Sequence, residues 1–152
     1  MERSPRADLA QVAVVGAHLS GLPLNRELVE RGARLVRATT TAARYRLFAL
    51  AGTEPPKPGM VRMASDGRAI AVEIWEMPMR TFGGFVAGIR APLSIGTIEL
   101  DDGSTVQGFL CEAAATAGAE DISRFGGWRN YLNADAAHAV GRAPTDCNAS
   151  VS

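Results

Sequence analysis

The chain is short of the residues that several protein classes depend on. Only two of its 152 residues are cysteine and two are histidine. Cys111 lies in an apolar run and Cys147 in a polar tail, and neither belongs to a CxxC or Cys/His cluster. That pattern argues against a disulfide framework and against a structural zinc site. Charge of one sign is not in surplus either, with 16 Lys and Arg against 16 Asp and Glu. A protein of zero net charge lacks the basic field that nucleic acid or an anionic membrane surface would need. No apolar run approaches the length of a membrane span, and the first dozen residues are charged where a secretory signal would be apolar. The expectation is a cytoplasmic protein with no nucleic-acid and no membrane partner. GxGxxG and GxxxxGK[ST] are both absent, so nucleotide phosphates are not expected, and no cofactor or metal is implied.

What is present is 47% hydrophobic residues, enough in a chain of this length for one domain with one core. Residues 1–11 read as a flexible N-terminus, 12–132 as the domain and 133–152 as a disordered tail. Val12-Ala13-Val14-Val15 is a short buried-strand pattern stopped by Gly16. Ala17 to Gly21 form a loop, and beyond it Pro23 opens a helix carrying Leu24, Leu28 and Val29 at helical spacing, with Gly32 as the stop. Strands are expected near 34–40, 45–50 and 59–64. Residues 69–77 alternate, with Glu73 on the outward face, until Pro78 ends the strand. Met79, Phe82, Phe85, Val86 and Ile89 predict a short helix. Asp101-Asp102-Gly103-Ser104 between two apolar runs predicts a hairpin of 95–100 with 105–112. Residues 121–132 suggest a broken helix that buries Ile122, Phe125, Trp128 and Leu132. The sum is an α+β domain: a small mixed β-barrel flanked by short helices.

The loop 16–21 is the best candidate site. Backbone N–H groups between two glycines, at a strand-to-helix turn, can point at an anion or a carbonyl oxygen. His18 stands in its middle, and imidazole is the side chain whose ordinary pKa suits proton transfer near neutrality. His138, in the tail, is not expected to act. Arg44-Tyr45-Arg46 is a second candidate, since a guanidinium grips a carboxylate bidentately and a phenol can orient it. Glu73 and Glu76 fall on opposite faces of a strand, which disfavours a paired-carboxylate site. Ser20 has no GxSxG context.

Several blocks, taken in order, carry a family resemblance. They are Val14 to Asn25 (VVGAHLSGLPLN), Ala43 to Leu47 (ARYRL), Pro55 to Gly59 (PPKPG), Ala91 to Leu100 (APLSIGTIEL), Gly108 to Glu112 (GFLCE) and Phe125 to Arg129 (FGGWR). Together they resemble the C-terminal domain of allophanate hydrolase across residues 12–132. The resemblance implies a γ-glutamylcyclotransferase-like fold whose first loop holds substrate through backbone amides. The cyclotransferases themselves carry Tyr-Gly-Ser-Leu in that loop and a glutamate after a later helix. Here the loop reads Gly16-Ala17-His18-Leu19, and residues 88–92 contain no acid. The implied activity is instead the breakdown of N-carboxycarbamate to carbon dioxide and ammonia in urea and allophanate degradation, with His18 as catalytic general acid or base. The implied substrate is a small anionic carboxylate, bound by Gly16, Ala17, Leu19, Ser20, Asn25, Arg44, Tyr45, Arg90 and Gly96. The Ser-cisSer-Lys amidase that acts first in this family is not encoded in these residues, so a separate amidase-signature allophanate hydrolase is the expected partner. Exposed strand edges leave homodimerisation open. Two other readings fit the same residues: a non-catalytic assembly module for an amidase, and a cyclotransferase-like protein binding another small carboxylate.

Overall fold

The computed structural model describes residues 8–138. Its elements are β1 (Leu9–Val14), α1 (Asn25–Val29), β2 (Arg34–Thr40), β3 (Tyr45–Ala49), β4 (Pro58–Arg62), β5 (Ala71–Pro78), α2 (Met79–Ala87), β6 (Leu93–Glu99), β7 (Thr105–Cys111) and β8 (Glu120–Asp121). A last helix, α3, covers 128–138. Residues 9–11, expected to be flexible, are therefore paired in β1, and 133–138, expected to be disordered, are helical. The remainder of both expected tails lies outside the described residues.

Five strands form one sheet in the order β2-β5-β1-β7-β6, and β4-β3-β8 form a second. All ladders are antiparallel except that of β1 with β7, where Ala13 lies opposite Gly108. The α+β class follows, but the expected barrel does not close. The edge strands of the larger sheet meet only at one end, through the bridge Thr41↔Leu100. Sheet twist brings these edges together at one corner and leaves the rest of both open, so the sheet is curled and not sealed.

The core lies between the sheets and under the helices. Val12 and Val14 from β1, Leu28 from α1, Leu47 from β3, Met60 from β4, Ile74 and Met77 from β5 and Ile98 from β6 are all nearly inaccessible. Burial in β5 departs from the expected alternation, because Val72 to Met77 are buried without interruption. β5 has strands on both sides and cover on both faces, so Glu73 is not on an outward surface. Past β8, Ser123–Phe125 make one 3-10 turn, and Gly126 at φ 75° breaks the chain before α3. A left-handed residue interrupts the helix that the apolar spacing suggests, while Ile122 and Trp128 still reach the core.

Candidate functional site

β1 delivers the chain to the site. From Val15 to Leu24 the backbone runs through tight turns: Leu19 N–H donates to Gly16 O (3.0 Å), Leu22 N–H to Leu19 O (3.0 Å) and Leu24 N–H to Ala17 O (2.9 Å). Gly16 is needed for close approach. A Cβ there would stand 2.3 Å from Pro58 Cδ, so the loop lies directly on the start of β4.

His18 is buried at the centre of this arrangement. Its Nε2 lies 2.8 Å from Glu27 Oε1, so the Nε2–H donates to the carboxylate and Nδ1 is the lone-pair nitrogen of the neutral ring. Phe109 stacks on the imidazole at a centroid distance of 4.9 Å, and Phe85 meets it edge-on at 5.5 Å. Asn25 Nδ2 donates to His18 O (2.8 Å), tying the loop to the first residue of α1. Burial lowers the His18 pKa below its ordinary value. The Glu27 contact pulls the other way, and Lys57 and Arg31 add to the lowering. An imidazole so placed is neutral in the ligand-free protein at neutral pH.

His18 opens on a cleft of about 340 Å³ that it shares with Glu27, Arg31, Lys57, Phe85 and Arg90. Behind the ring a narrow recess is lined by Gly16, Ala17, Lys57 and Pro58. The N–H groups of Ala17 and His18 donate to no acceptor among the described residues. Arg31 is held to the Glu27 carbonyl (3.0 Å), whereas Lys57 and Arg90 form no ion pair among the described residues. Arg31, Lys57 and Arg90 outnumber the carboxylates of Glu27 and Glu54 in the same lining, and a cleft of net positive charge beside a buried imidazole and free amides suits a small anion.

The site residues expected from sequence divide sharply. Gly16, Ala17, His18, Asn25 and Arg90 come together here. Leu19 and Ser20 do not offer amides, since the Leu19 N–H is spent on Gly16 O and the Ser20 N–H on Glu73 Oε1 (2.8 Å). Tyr45 is a core residue with no exposed surface, and its phenol oxygen accepts the Glu99 N–H (2.9 Å). Arg44 pairs with Glu99 (2.9 Å) and lines a separate groove with Thr41 and Asp101. Gly96 faces Gly108 across β6 and β7, where a Cβ would strike Leu110 Cδ1 at 2.8 Å, so it serves packing. Sequence reasoning missed Glu27, Arg31, Lys57, Phe85 and Phe109. Glu27 and Arg31 are four apart, a spacing that could have marked one helical face. Lys57 comes from the connection before β4, and no local signal places it near His18.

Residues 10–133 match the family model described as the allophanate hydrolase C-terminal domain. Urea amidolyase of Saccharomyces cerevisiae is 40% identical over 126 residues, which is 80% of this chain and 7% of that protein. The chain thus spans a small fraction of the curated relatives it matches. The Kluyveromyces lactis allophanate hydrolase structure superposes with a TM-score of 0.78 at 38% identity, over 82% of this chain and 21% of that one. The structure of c4763, a uropathogenic Escherichia coli-specific protein, gives 0.76 at 37% identity, over 82% of this chain and 96% of its own. A γ-glutamyl cyclotransferase structure shares the fold at a TM-score of 0.52 with 11% identity. With its fold, its loop and these matches in agreement, the chain belongs to the allophanate hydrolase C-terminal domain family.

Proposed function

We propose that this domain breaks down N-carboxycarbamate to carbon dioxide and ammonia, completing allophanate degradation begun by an amidase. The observation that carries this reading is buried His18, paired with the partly exposed Glu27, at the head of a cleft lined by Arg31, Lys57 and Arg90. N-carboxycarbamate is a compact dianion with a nitrogen between two carboxylates. Its carboxylates suit the cations and the free N–H groups of Ala17 and His18, and its nitrogen would face His18 Nδ1.

In the step proposed, the C–N bond to one carboxylate breaks and its electron pair moves to nitrogen, where a proton arrives from Nδ1. The freed carboxylate leaves as carbon dioxide and carbamate remains, which takes up a further proton and separates into ammonia and a second carbon dioxide. Burial keeps the empty imidazole neutral, so the proton is taken up along with the dianion, whose charge favours the imidazolium. Glu27 on Nε2 then steadies the charged ring and fixes its orientation.

The test couples this protein to a separate amidase-type allophanate hydrolase and follows ammonia released per allophanate, at a pH where spontaneous breakdown is slow. Wild type should speed release of the second ammonia, and H18A should reduce that acceleration by about 100-fold to 10,000-fold. An equal rate with and without the wild-type protein would reject the reading, as would full activity in H18A.

A further inference from the structure

The loop that carries His18 is gripped on its other side by a buried carboxylate that the proposed chemistry does not use. Glu73, from the middle of β5, accepts both donors of Ser20: the N–H at Oε1 (2.8 Å) and the hydroxyl at Oε2 (2.8 Å). Trp75 Nε1–H also donates to Oε1 (3.1 Å). Arg129, in the first turn of α3, closes the set. Its Nη2 donates to Ser20 O (2.5 Å), to Ser20 Oγ (3.0 Å) and to Glu73 Oε2 (3.1 Å). The Glu73 side chain is only 9% exposed. A buried carboxylate without partners would be costly, and here both oxygens are filled by donors from three separate segments.

We infer that Glu73, Ser20 and Arg129 form a clamp that positions His18, making β5 and α3 part of the apparatus that aims the imidazole and the Ala17 and His18 amides into the cleft. The geometry gives the reason. Ser20 is two residues beyond His18, and the backbone bonds made by Leu19 between them, its N–H to Gly16 O and its carbonyl from the Leu22 N–H, close turns within the loop and do not tie it to the sheet. Asn25 holds the His18 carbonyl from the α1 side. Without an anchor at Ser20, the loop would pivot about Gly16 and Asn25, and His18 would lose its register with Phe109 and Glu27. Displacements on the order of 1 Å at a proton-transfer group can cost about 100-fold in rate. The three residues touch no part of the cleft, so they are positioning residues. This inference rests on the proposed function only for its kinetic readout, since the placement of His18 can be measured without turnover.

The experiment compares E73A, E73Q, R129A, R129K and S20A with wild type in two assays. One is the coupled ammonia assay. The other is the NMR resonance and titration of the His18 ring, free and with malonate as a stable dicarboxylate probe. In folded E73A and R129A the His18 ring signal should move, malonate should bind more weakly, and the accelerated ammonia release should fall about 100-fold. E73Q keeps an acceptor for the Ser20 N–H and R129K keeps a cationic donor, so both should recover a substantial part of the loss. S20A deletes only the hydroxyl bonds and answers the question should E73A fail to fold. Folded E73A or S20A proteins whose His18 resonance, malonate affinity and turnover all match wild type would overturn the clamp. If wild type accelerates no ammonia release, the proposed function fails, and the His18 resonances in the same variants still decide the clamp.

Discussion

Tyr45 shows how one residue can fit a functional expectation and serve another purpose. Beside two arginines it has the composition of a carboxylate clamp, yet its ring is fully buried and its oxygen accepts the Glu99 N–H. Y45F removes the acceptor and leaves the ring. The Glu99 N–H then loses its partner, and stability should fall by about 1–3 kcal/mol in denaturant unfolding. Turnover and malonate affinity should be unchanged, because Tyr45 does not border the His18 cleft. A rise in the malonate Kd without loss of stability would return Tyr45 to the site. His18 is the converse case. A lone histidine in a glycine-bounded loop was legible from the sequence, but its partner Glu27 and its stacking on Phe109 required the fold.

Among the elements, α3 carries more than its distance along the chain from the loop suggests. Trp128 at its start is 3% exposed and stacks on Tyr131 (5.3 Å between centroids), while the next residue, Arg129, reaches Ser20. W128A should cost about 3–5 kcal/mol by leaving a cavity between the sheet and the helix, read as a fall in Tm. Should W128A unfold like wild type, the helix would be shown to contribute little to the core. Strand boundaries were the most legible level. The hairpin around Asp101–Ser104, the helix after Pro78 and the strand 34–40 all follow from local pattern. The broken helix at 121–132 was legible in its apolar residues and not in its path, because the turn at Gly126 depends on backbone conformation that spacing does not encode.

For the molecule as a whole, the buried titrating groups set a pH dependence of stability. His18 has a pKa below its ordinary value of about 6.5, chiefly through burial. The unfolded chain therefore binds more protons than the folded one in the interval below that value. Stability contributed there is complete above about pH 6.5 and declines as pH falls toward the folded-state pKa. Glu73 follows in a lower range. Burial alone would raise its pKa, but the Ser20 N–H, the Trp75 indole, the Ser20 hydroxyl and Arg129 together hold it down. Its contribution is present above the ordinary carboxylate value and is lost as pH falls through the folded one. Urea unfolding between about pH 7.5 and pH 3.5 should show both declines, with H18Q removing the upper and E73Q reducing the lower, to which Asp121, held down against burial by Ser123 and Arg46, also contributes. An upper decline that persists in H18Q would assign it to another group.

By itself the sequence determined the α+β class, most strand positions, the loop and its histidine, because each rests on local pattern: alternation, glycine and proline punctuation, and composition. The tertiary structure alone decided which side chains meet. Lys57 and Arg90 approach His18 from distant connections, and Tyr45, Arg44 and Gly96 turn away from it. Glu73, which alternation places in solvent, is buried against Ser20 and Arg129. Alternation along a strand says which residues share a face, but only the order of strands in the sheet and the cover on each face say what that face meets. The same limit explains the barrel, since closure depends on how far twist carries the two edges of the sheet, and here they meet at one end, around the Thr41–Leu100 bridge.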